Sequence, residues 1–376
     1  MLTLCLSSSL HLPFLSMASL VEEGWQVMKS INRFKLFIVL TALTLLCGCW
    51  DAKEINLRTP PLLIGIAKGN DDEYRVTLYV PFTKKGKTES KIVTEKGNSI
   101  SNILRQMRTN SDDALDYSQV QLIVIQNNLA KNEEEFGKLV RLSMEIEQLP
   151  SRSLVAITDD DIEKMLSNID KVVGVHATSI NDFFYKGEWA PEVSSTRIWE
   201  LYRGLYSYTK DINVPIVSSG KDTVLRFEGA AILKKGKIVE RINPKENLLV
   251  NLFNHRNATG EIESLGSADI IVKNSSLHIK SSMKKDEPLV SCDLKLKIQV
   301  MERKEGVTDK QIHEELEKQI EKQFNKIFEQ AQENKSDIFG FGQHFRNRIP
   351  YQELKNWREE YYPKLKVNFQ VHVSQL

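Results

Sequence analysis

The sequence predicts a mixed α/β protein, α+β in its overall arrangement and built from three domains. Three observations lead to this prediction. Strand and helix patterns alternate over residues 76–166, as in a substantially parallel sheet with helices packed on it. Strands with one wet face follow one another over residues 268–301, and a long amphipathic helix comes next. The chain has 376 residues, which is too long for one typical hydrophobic core.

We expect four segments along the chain. Residues 1–48 form a signal peptide, residues 49–213 an N-terminal α/β domain, and residues 214–258 a small middle domain of a hairpin and a helix. Residues 259–376 form a C-terminal domain in which a long helix covers an antiparallel sheet. The boundary at residue 214 rests on residues 214–220, whose proline, serines and glycine are typical of a linker.

The strands of the N-terminal domain are predicted from apolar patterns. One strand has alternate apolar residues on one face and is bounded by a proline: Val76, Leu78, Val80 and Pro81. Residues 119–126 contain the run Leu-Ile-Val-Ile, which suits a strand buried on both faces. Residues 153–157 predict a further strand.

Helical spacing of apolar residues predicts helices after each of these strands. The first lies near residues 100–107, and the second contains residues 136–144, with glutamates at 133–135 in its first turn, where the helix dipole favours anions. A short third helix ends near Leu166. The expected N-caps are Ser99 for the first helix and Asp159 or Asp160 for the third.

Residues 176–208 are rich in aromatic side chains. Apolar spacing predicts a helix over residues 198–205 that packs on the sheet of its domain, which is the interpretation that we favour. The alternative is a surface that faces a partner, because aromatic residues are enriched in the cores of protein interfaces.

The middle domain is predicted from strands at residues 227–233 and 238–240, followed by a helix that Pro244 opens. The C-terminal strands and turns are expected at residues 268–272, 274–275 (turn), 277–283, 285–288 (turn), 289–301 and 367–373. Thr308 and Gln311 form a capping box at the start of the long helix. The apolar stripe of this helix is Ile312, Leu316, Ile320, Phe324, Ile327 and Phe328.

The N-terminus carries the pattern of a lipoprotein signal peptide. A basic region at residues 29–35 precedes the uncharged, largely apolar residues 36–46. This run is shorter than the about 20 residues that span a membrane and is typical of a secretory signal. Gly48 and Cys49 follow, as in the lipobox of bacterial lipoproteins. We therefore expect cleavage between Gly48 and Cys49 and attachment of lipid to Cys49.

Two other interpretations of this region are an ordinary signal peptide and a buried helix. Cys47 stands where alanine or serine is more usual, but it is small. Residues 1–27 do not resemble the short basic start of a signal peptide, whereas Met28 is followed by a basic residue. We therefore expect translation to begin at Met28.

Composition and motifs give no sign of catalysis. The 51 Lys+Arg and 50 Asp+Glu balance, so no basic field recruits nucleic acid. His313, on the exposed flank of the long helix, lacks the second histidine of a zinc motif, and residues 159–161 lack the spaced ligands of a calcium loop. Cys292 is expected to be a buried, inert thiol, and Gly340-Phe341-Gly342 a turn. We expect no enzyme, no cofactor and no metal.

Several short motifs, in their order and spacing, resemble those of the Ger(x)C spore germination lipoproteins. They are Cys49-Trp50-Asp51 with Glu54-Ile55-Asn56, residues 118–129, Phe227-Glu228-Gly229-Ala230-Ala231 with 234–237, and residues 337–342 followed by Trp357. Gln119 stands where the family pattern has histidine. The resemblance covers essentially all of residues 49–376.

The resemblance implies the C subunit of a nutrient germinant receptor, a non-catalytic component needed for signalling in spores. It implies a lipid anchor such as palmitate on Cys49, the outer surface of the spore inner membrane, and two partners, the integral-membrane A and B subunits. One alternative is a substrate-binding lipoprotein of an importer, which needs two similar α/β lobes. Another is a membrane-tethered hydrolase, which needs a nucleophile or a metal site.

Overall fold

The computed structural model describes residue 35 and residues 58–376, except 70–71, 85–86, 113, 147, 174–177, 186–189, 257 and 286. Apart from Lys35, the predicted signal peptide therefore lies outside the described residues. Within the described part, a nine-stranded sheet and a four-stranded sheet organise the fold, beside a short parallel pair of two strands.

The elements of the first sheet and its helices follow in chain order. They are β1 (Arg58–Thr59), β2 (Leu63–Lys68), β3 (Tyr74–Lys84), β4 (Lys87–Gly97), α1 (Ile100–Asn110), β5 (Ala114–Leu115), β6 (Leu122–Gln126), α2 (Asn127–Ala130), α3 (Glu133–Glu145), β7 (Leu154–Thr158), α4 (Ile162–Val173), α5 (Thr178–Tyr185), β8 (Thr196–Arg197), α6 (Ile198–Tyr206), β9 (Ile212–Ser219), β10 (Leu225–Lys234) and β11 (Lys237–Ile242). The strand order is β11-β10-β9-β7-β6-β2-β3-β4, and β8 pairs with β7. The short pair is β1 and β5.

The centre of the nine-stranded sheet is parallel, as the alternation of strands and helices predicts. Strands β2, β6, β7 and β9 pair in parallel, and the hairpins β3–β4 and β10–β11 extend the sheet on either side with antiparallel strands. This is a mixed sheet, since hairpins need only short connections whereas parallel neighbours need a crossover.

Both faces of this sheet are covered by helices. On one face, α1, α3 and α6 pack on the sheet, and α6 contributes Ile198 and Leu201. On the other face, α4 and α5 contribute Ile162, Phe184 and their neighbours. Strand β6 sends alternate residues into the two cores, which confirms that it is buried on both faces.

Three features of this sheet differ from the expectation. The predicted linker at 214–220 is largely strand β9, in which Val214 and Val217 are fully buried, because the core of the sheet needs their apolar side chains. Strand β4 was not predicted, since its sequence is mostly polar and only its pairing with β3 makes it a strand. Strand β3 continues past Pro81 to Lys84.

The expected helix caps are partly wrong. Helix α4 begins after Asp161, whose Oδ1 accepts a hydrogen bond from the backbone N–H of Lys164 at 3.1 Å. The cap is therefore Asp161 and neither Asp159 nor Asp160, because those two carboxylates are bound elsewhere. Ser99 stands at the N-cap position of α1, but its side chain makes no capping hydrogen bond.

The remaining elements are α7 (Pro244–Phe253), β12 (Ile262–Ser264), β13 (Ala268–Lys284), β14 (Glu287–Arg303), α8 (Asp309–Glu333), α9 (Tyr351–Leu354) and β15 (Lys366–Gln375). The four-stranded sheet has the order β12-β13-β14-β15. Its first three strands are antiparallel, as expected, whereas β15 runs parallel to β14. The long helix and the segment after it lie between these two strands in the chain, and such a crossover permits parallel pairing.

The long helix confirms the pattern that predicted it. Thr308 and Gln311 form the capping box, and the apolar stripe packs into the core of the C-terminal sheet. The carboxylates of Glu317 and Glu321 accept hydrogen bonds from backbone N–H groups of β15 at 2.8 and 3.2 Å. The turn expected at 274–275 is instead a shift in register within the continuous strand β13.

The segment expected to form a middle domain is shared between the two sheets. Its strands β9–β11 belong to the nine-stranded sheet, while α7 packs into the C-terminal core. Strand β10 also reaches that core through Ala230 and Ile232. The division into three domains stays a prediction.

Candidate functional site

A buried polar cluster lies where the C-terminal segment meets the beginning of β9. Asp337, four residues beyond the end of α8, has no exposed surface. Its carboxylate accepts hydrogen bonds from three N–H groups: Phe341 N at 2.8 Å, Gly342 N at 2.7 Å and Trp357 Nε1 at 2.8 Å. The expected turn at 340–342 is therefore the backbone that wraps around this carboxylate.

The glycines of this turn have steric reasons. Gly340 has a φ of 71°, a left-handed conformation that favours glycine. A Cβ atom on Gly342 would lie 2.7 Å from Trp357 Nε1 and 2.8 Å from Thr209 Cβ. The spacing Asp-x-x-Gly-x-Gly followed by Trp therefore encodes one carboxylate and the donors that surround it.

A second carboxylate joins this turn to the nine-stranded sheet. Asp211, directly before β9, accepts a hydrogen bond from Asp337 N at 2.8 Å, and its own N–H donates to the Asp337 carbonyl at 2.9 Å. Arg358 binds both oxygens of Asp211 and also donates to the carbonyl of Ser207 at 2.9 Å. Arg358 is 5% exposed and Asp211 1%. The two sheets are thus tied by buried charges.

The two carboxylates of this cluster have different partners: the guanidinium of Arg358 binds Asp211, whereas only N–H groups bind the carboxylate of Asp337. Burial raises the pKa of Asp337 to about 7, the N–H groups of Gly342 and Phe341 lower it, and the nearby charge of Asp211 raises it. The pKa of Tyr362 lies well above its usual value, chiefly because this ring is buried. With no exposed surface, Asp337 offers a ligand no access, so we interpret the cluster as structural.

The three aspartates after β7 are each held by other parts of the fold. Asp159 forms a bidentate ion pair with Arg241, with N–O distances of 2.6 and 3.0 Å. This ion pair lowers the pKa of the Asp159 carboxyl. Asp160 accepts a hydrogen bond from Ser219 N at 2.7 Å. Asp161 caps α4 and contacts Arg75. Their carboxylates link strands and helices, in line with the expectation of a helix N-terminus at this point.

The other candidates for chemistry have structural surroundings as well. Cys292 is buried, and burial raises the pKa of its thiol to about 12, which agrees with an inert thiol. His313 is half-buried and its Nε2 atom is buried, so its expected place on an exposed flank is wrong. Among the described residues, no group of three or more His, Cys, Asp or Glu is arranged to hold a metal ion.

The aromatic segment packs on the sheet with some residues and exposes aromatic rings with others. Ile198 and Leu201 of α6 are buried on the sheet, as the favoured interpretation predicts. Tyr185, Trp199 and Tyr206 are 56%, 37% and 52% exposed, which leaves an aromatic surface beside the helix. Arg203 lies 5.0 Å from the centre of the Trp199 ring, so this surface also carries positive charge.

The predicted lipid site lies outside the described residues. Neither Gly48 nor Cys49 can be placed, so cleavage and lipid attachment stay predictions. Across the described residues, no helix combines the length and the apolar character needed to cross a membrane.

Comparison with known proteins assigns both halves of the chain to one class, the spore germination proteins. Residues 51–219 match the family profile described as spore germination protein N-terminal domain. Residues 228–374 match the profile described as spore germination B3/GerAC-like, C-terminal. The chain belongs to the Ger(x)C family of spore germination proteins.

Two curated relatives and one solved structure support this assignment. The chain is 23% identical over 384 residues to spore germination protein KC of Bacillus subtilis strain 168, covering 88% of this chain and 92% of the relative. It is 19% identical over 280 residues to spore germination protein GerQC of Bacillus cereus, covering 72% and 76%. The crystal structure of the GerBC protein shares the fold, with a TM-score of 0.54, 16% identity and coverage of 83% and 96%.

A first prediction concerns the protonation of Asp337. Because its folded pKa is raised above the ordinary value of 3.8 to about 7, the native state holds a proton that the unfolded state releases. The stability due to this group is therefore complete at low pH and declines as the pH rises toward 7. We expect the difference in unfolding free energy between the wild type and Asp337→Asn to shrink from about pH 5 to about pH 8.

Chemical denaturation of both proteins at each pH would measure this difference. Other titrating groups, such as Glu261, whose pKa is raised to about 7 chiefly by burial, are present in both proteins and cancel. If the difference stays constant across this range, the N–H donors lower the pKa of Asp337 by at least as much as burial raises it.

A second prediction concerns Arg358. Arg358→Ala leaves the carboxylate of Asp211 buried without its counter-charge, so we expect the free energy of unfolding to fall by about 3–5 kcal/mol. Arg105→Ala, an exposed position on α1, should change it by less than about 0.5 kcal/mol. Urea unfolding measures both values. A loss below about 1 kcal/mol for Arg358→Ala would contradict the structural role of the cluster.

Proposed function

We propose that the chain is the lipoprotein C subunit of a spore nutrient germinant receptor and is required for germination triggered by nutrients. The observation that carries this proposal is the match of both halves of the chain to spore germination profiles. Relatives with names of the KC and QC type match along most of their own length, which supports a role of the whole chain rather than of one domain.

The proposed mode of action is contact and not catalysis. In the described part of the chain, the buried Asp211 pairs with Arg358, N–H groups hold the buried Asp337, and the thiol of Cys292 is buried. The partners would be the integral-membrane A and B subunits of the receptor. The aromatic surface of α6 is a suitable contact region, because exposed tyrosine, tryptophan and arginine are typical of protein interfaces.

The proposed location is the outer surface of the spore inner membrane, with lipid on Cys49. The sequence pattern that ends at Gly48 and Cys49 supports this anchor. An importer's substrate-binding lipoprotein is a weaker candidate, because it needs two similar lobes around a cleft. Here the nine-stranded sheet and the four-stranded sheet differ in strand number and order.

A third prediction tests the function directly. Spores that lack the protein should fail to germinate with the nutrients of their receptor, whereas germination by a non-nutrient trigger should remain normal. Counting germination against a panel of nutrients, in a strain without related receptors, gives the measurement. Normal germination of that strain with every nutrient would overturn the proposed function.

A fourth prediction tests the anchor. Cys49→Ala should abolish incorporation of labelled palmitate and move the protein from the membrane fraction to the soluble fraction, since acyl chains supply about 0.8 kcal/mol per buried CH₂ group. Cys292→Ala is the matched control, because it removes a buried thiol and leaves the lipobox intact. Continued tight membrane association of Cys49→Ala would contradict the lipoprotein assignment.

A further inference from the structure

A cavity of about 450 Å³ opens at the amino ends of β6 and β7, between α5 and the start of α6. Two arginines and two aromatic residues are among its walls: Arg152, Arg197, Tyr185 and Trp199. The cluster around Asp337 does not contribute to it. We call it the Arg152–Arg197 pocket.

Strand pairing brings the two arginines together. Strands β7 and β8 are antiparallel, with Leu154 opposite Arg197. Past the end of β8 the chain enters α6, and Ile198 N donates to Ser153 O at 3.0 Å and Trp199 N to Ser151 O at 3.1 Å. These bonds hold the start of α6 against the turn before β7, which contains Arg152. Both arginines therefore line the same cavity and are presented to one ligand.

The described lining of the pocket is positively charged. None of the described residues that line it is acidic, whereas two are arginines. The charge of Glu200, just outside this lining, acts on Arg197. The Tyr185 side chain is hydrogen-bonded to Arg197 and helps to hold it in place. An anion between the arginines would balance the charge, and a carboxylate matches the planar fork of a guanidinium.

The pocket also offers an acceptor. Gln121 lines it, and the Oε1 atom of this side chain is buried without a hydrogen-bond partner among the described residues. Buried polar atoms normally have a partner, and because this atom has almost no accessible surface, Gln121 must turn its amide toward the cavity to accept a hydrogen bond from a ligand's N–H group. A carboxylate close to an N–H donor is the chemistry of an aspartate or glutamate in a peptide, and equally of a free amino acid.

The rim of the pocket favours a peptide over a free amino acid. Tyr185 and Trp199 stand at the pocket and are 56% and 37% exposed. This exposed aromatic surface is more extensive than a small carboxylate can cover. Tyrosine, tryptophan and arginine together are typical of the few residues that dominate protein interfaces.

We propose that the Arg152–Arg197 pocket binds an aspartate or glutamate side chain of a partner subunit. The proposal rests on the function proposed above, because it assumes a partner. In this interface the two arginines bind the carboxylate, and Tyr185 and Trp199 supply the apolar contacts.

The test uses the full-length protein in its membrane. Spores carry a tagged chain with Arg152→Glu and Arg197→Glu, and the integral-membrane subunits that co-purify after mild solubilisation are quantified. We expect at least about a tenfold loss, because truncating one side of a buried charge pair costs binding of this order or more. Arg105→Glu is the matched control, since Arg105 is an exposed arginine of α1 that does not line the pocket. This variant should co-purify its partners as the wild type does.

A second measurement covers the case in which charge reversal lowers the amount of folded chain. The purified full-length wild type and Arg197→Gln are titrated calorimetrically with N-acetyl-glutamate N-methylamide, and with the matching glutamine compound as a neutral probe. We expect the wild type to bind the charged probe at least about tenfold more tightly than Arg197→Gln does, and neither to bind the neutral probe.

The outcomes separate this inference from the proposed function. Normal nutrient germination of spores without the chain overturns the proposed function itself. If deletion blocks germination while the double arginine variant, present at wild-type level, co-purifies its partners within about twofold of the wild type, the pocket inference fails alone. Tight binding of free glutamate, with unchanged co-purification in the variants, would make the pocket a small-molecule site and overturn the partner assignment.

Discussion

The junction of the two sheets depends on the hydrogen bonds that the carboxylate of Asp337 accepts. Three N–H groups converge on it, and its backbone exchanges hydrogen bonds with Asp211 at the start of β9. Arg358 then fixes Asp211 from the C-terminal side. Because the charges of Asp211 and Arg358 are buried, each is costly without the other, so the cluster tolerates few alternative arrangements of the two sheets. Apolar contacts around α7 and β10 supply the remaining attachment.

Close packing explains several family motifs in physical terms. The glycine at 342 leaves room for Trp357 and Thr209. Gly229, at the start of the Gly-Ala-Ala strand segment, has a φ of 118°, and a Cβ atom there would lie 2.0 Å from the carbonyl oxygen of Ile242. The alanines after it are fully buried between two cores. These residues therefore serve the packing of the fold, and they are not sites of chemistry.

Two pairs of arginines in this protein have different surroundings. Arg358 and Arg241 have carboxylates of the chain in their first contacts. Arg152 and Arg197 instead share a cavity whose described walls carry no carboxylate, next to exposed aromatic rings.

Local patterns in the sequence determined much of this protein: the parallel centre of the first sheet, the buried strand β6, helix α6, the capping box of α8 and its apolar stripe. These features depend on the periodicity of neighbouring residues, which a sequence displays directly. Only the tertiary structure decided that residues 214–219 are a strand, that β15 pairs in parallel, that Asp161 is the cap, and that Arg152 and Arg197 line one cavity. Each of these depends on residues distant in the chain, and pairing across such distances leaves no local period to detect.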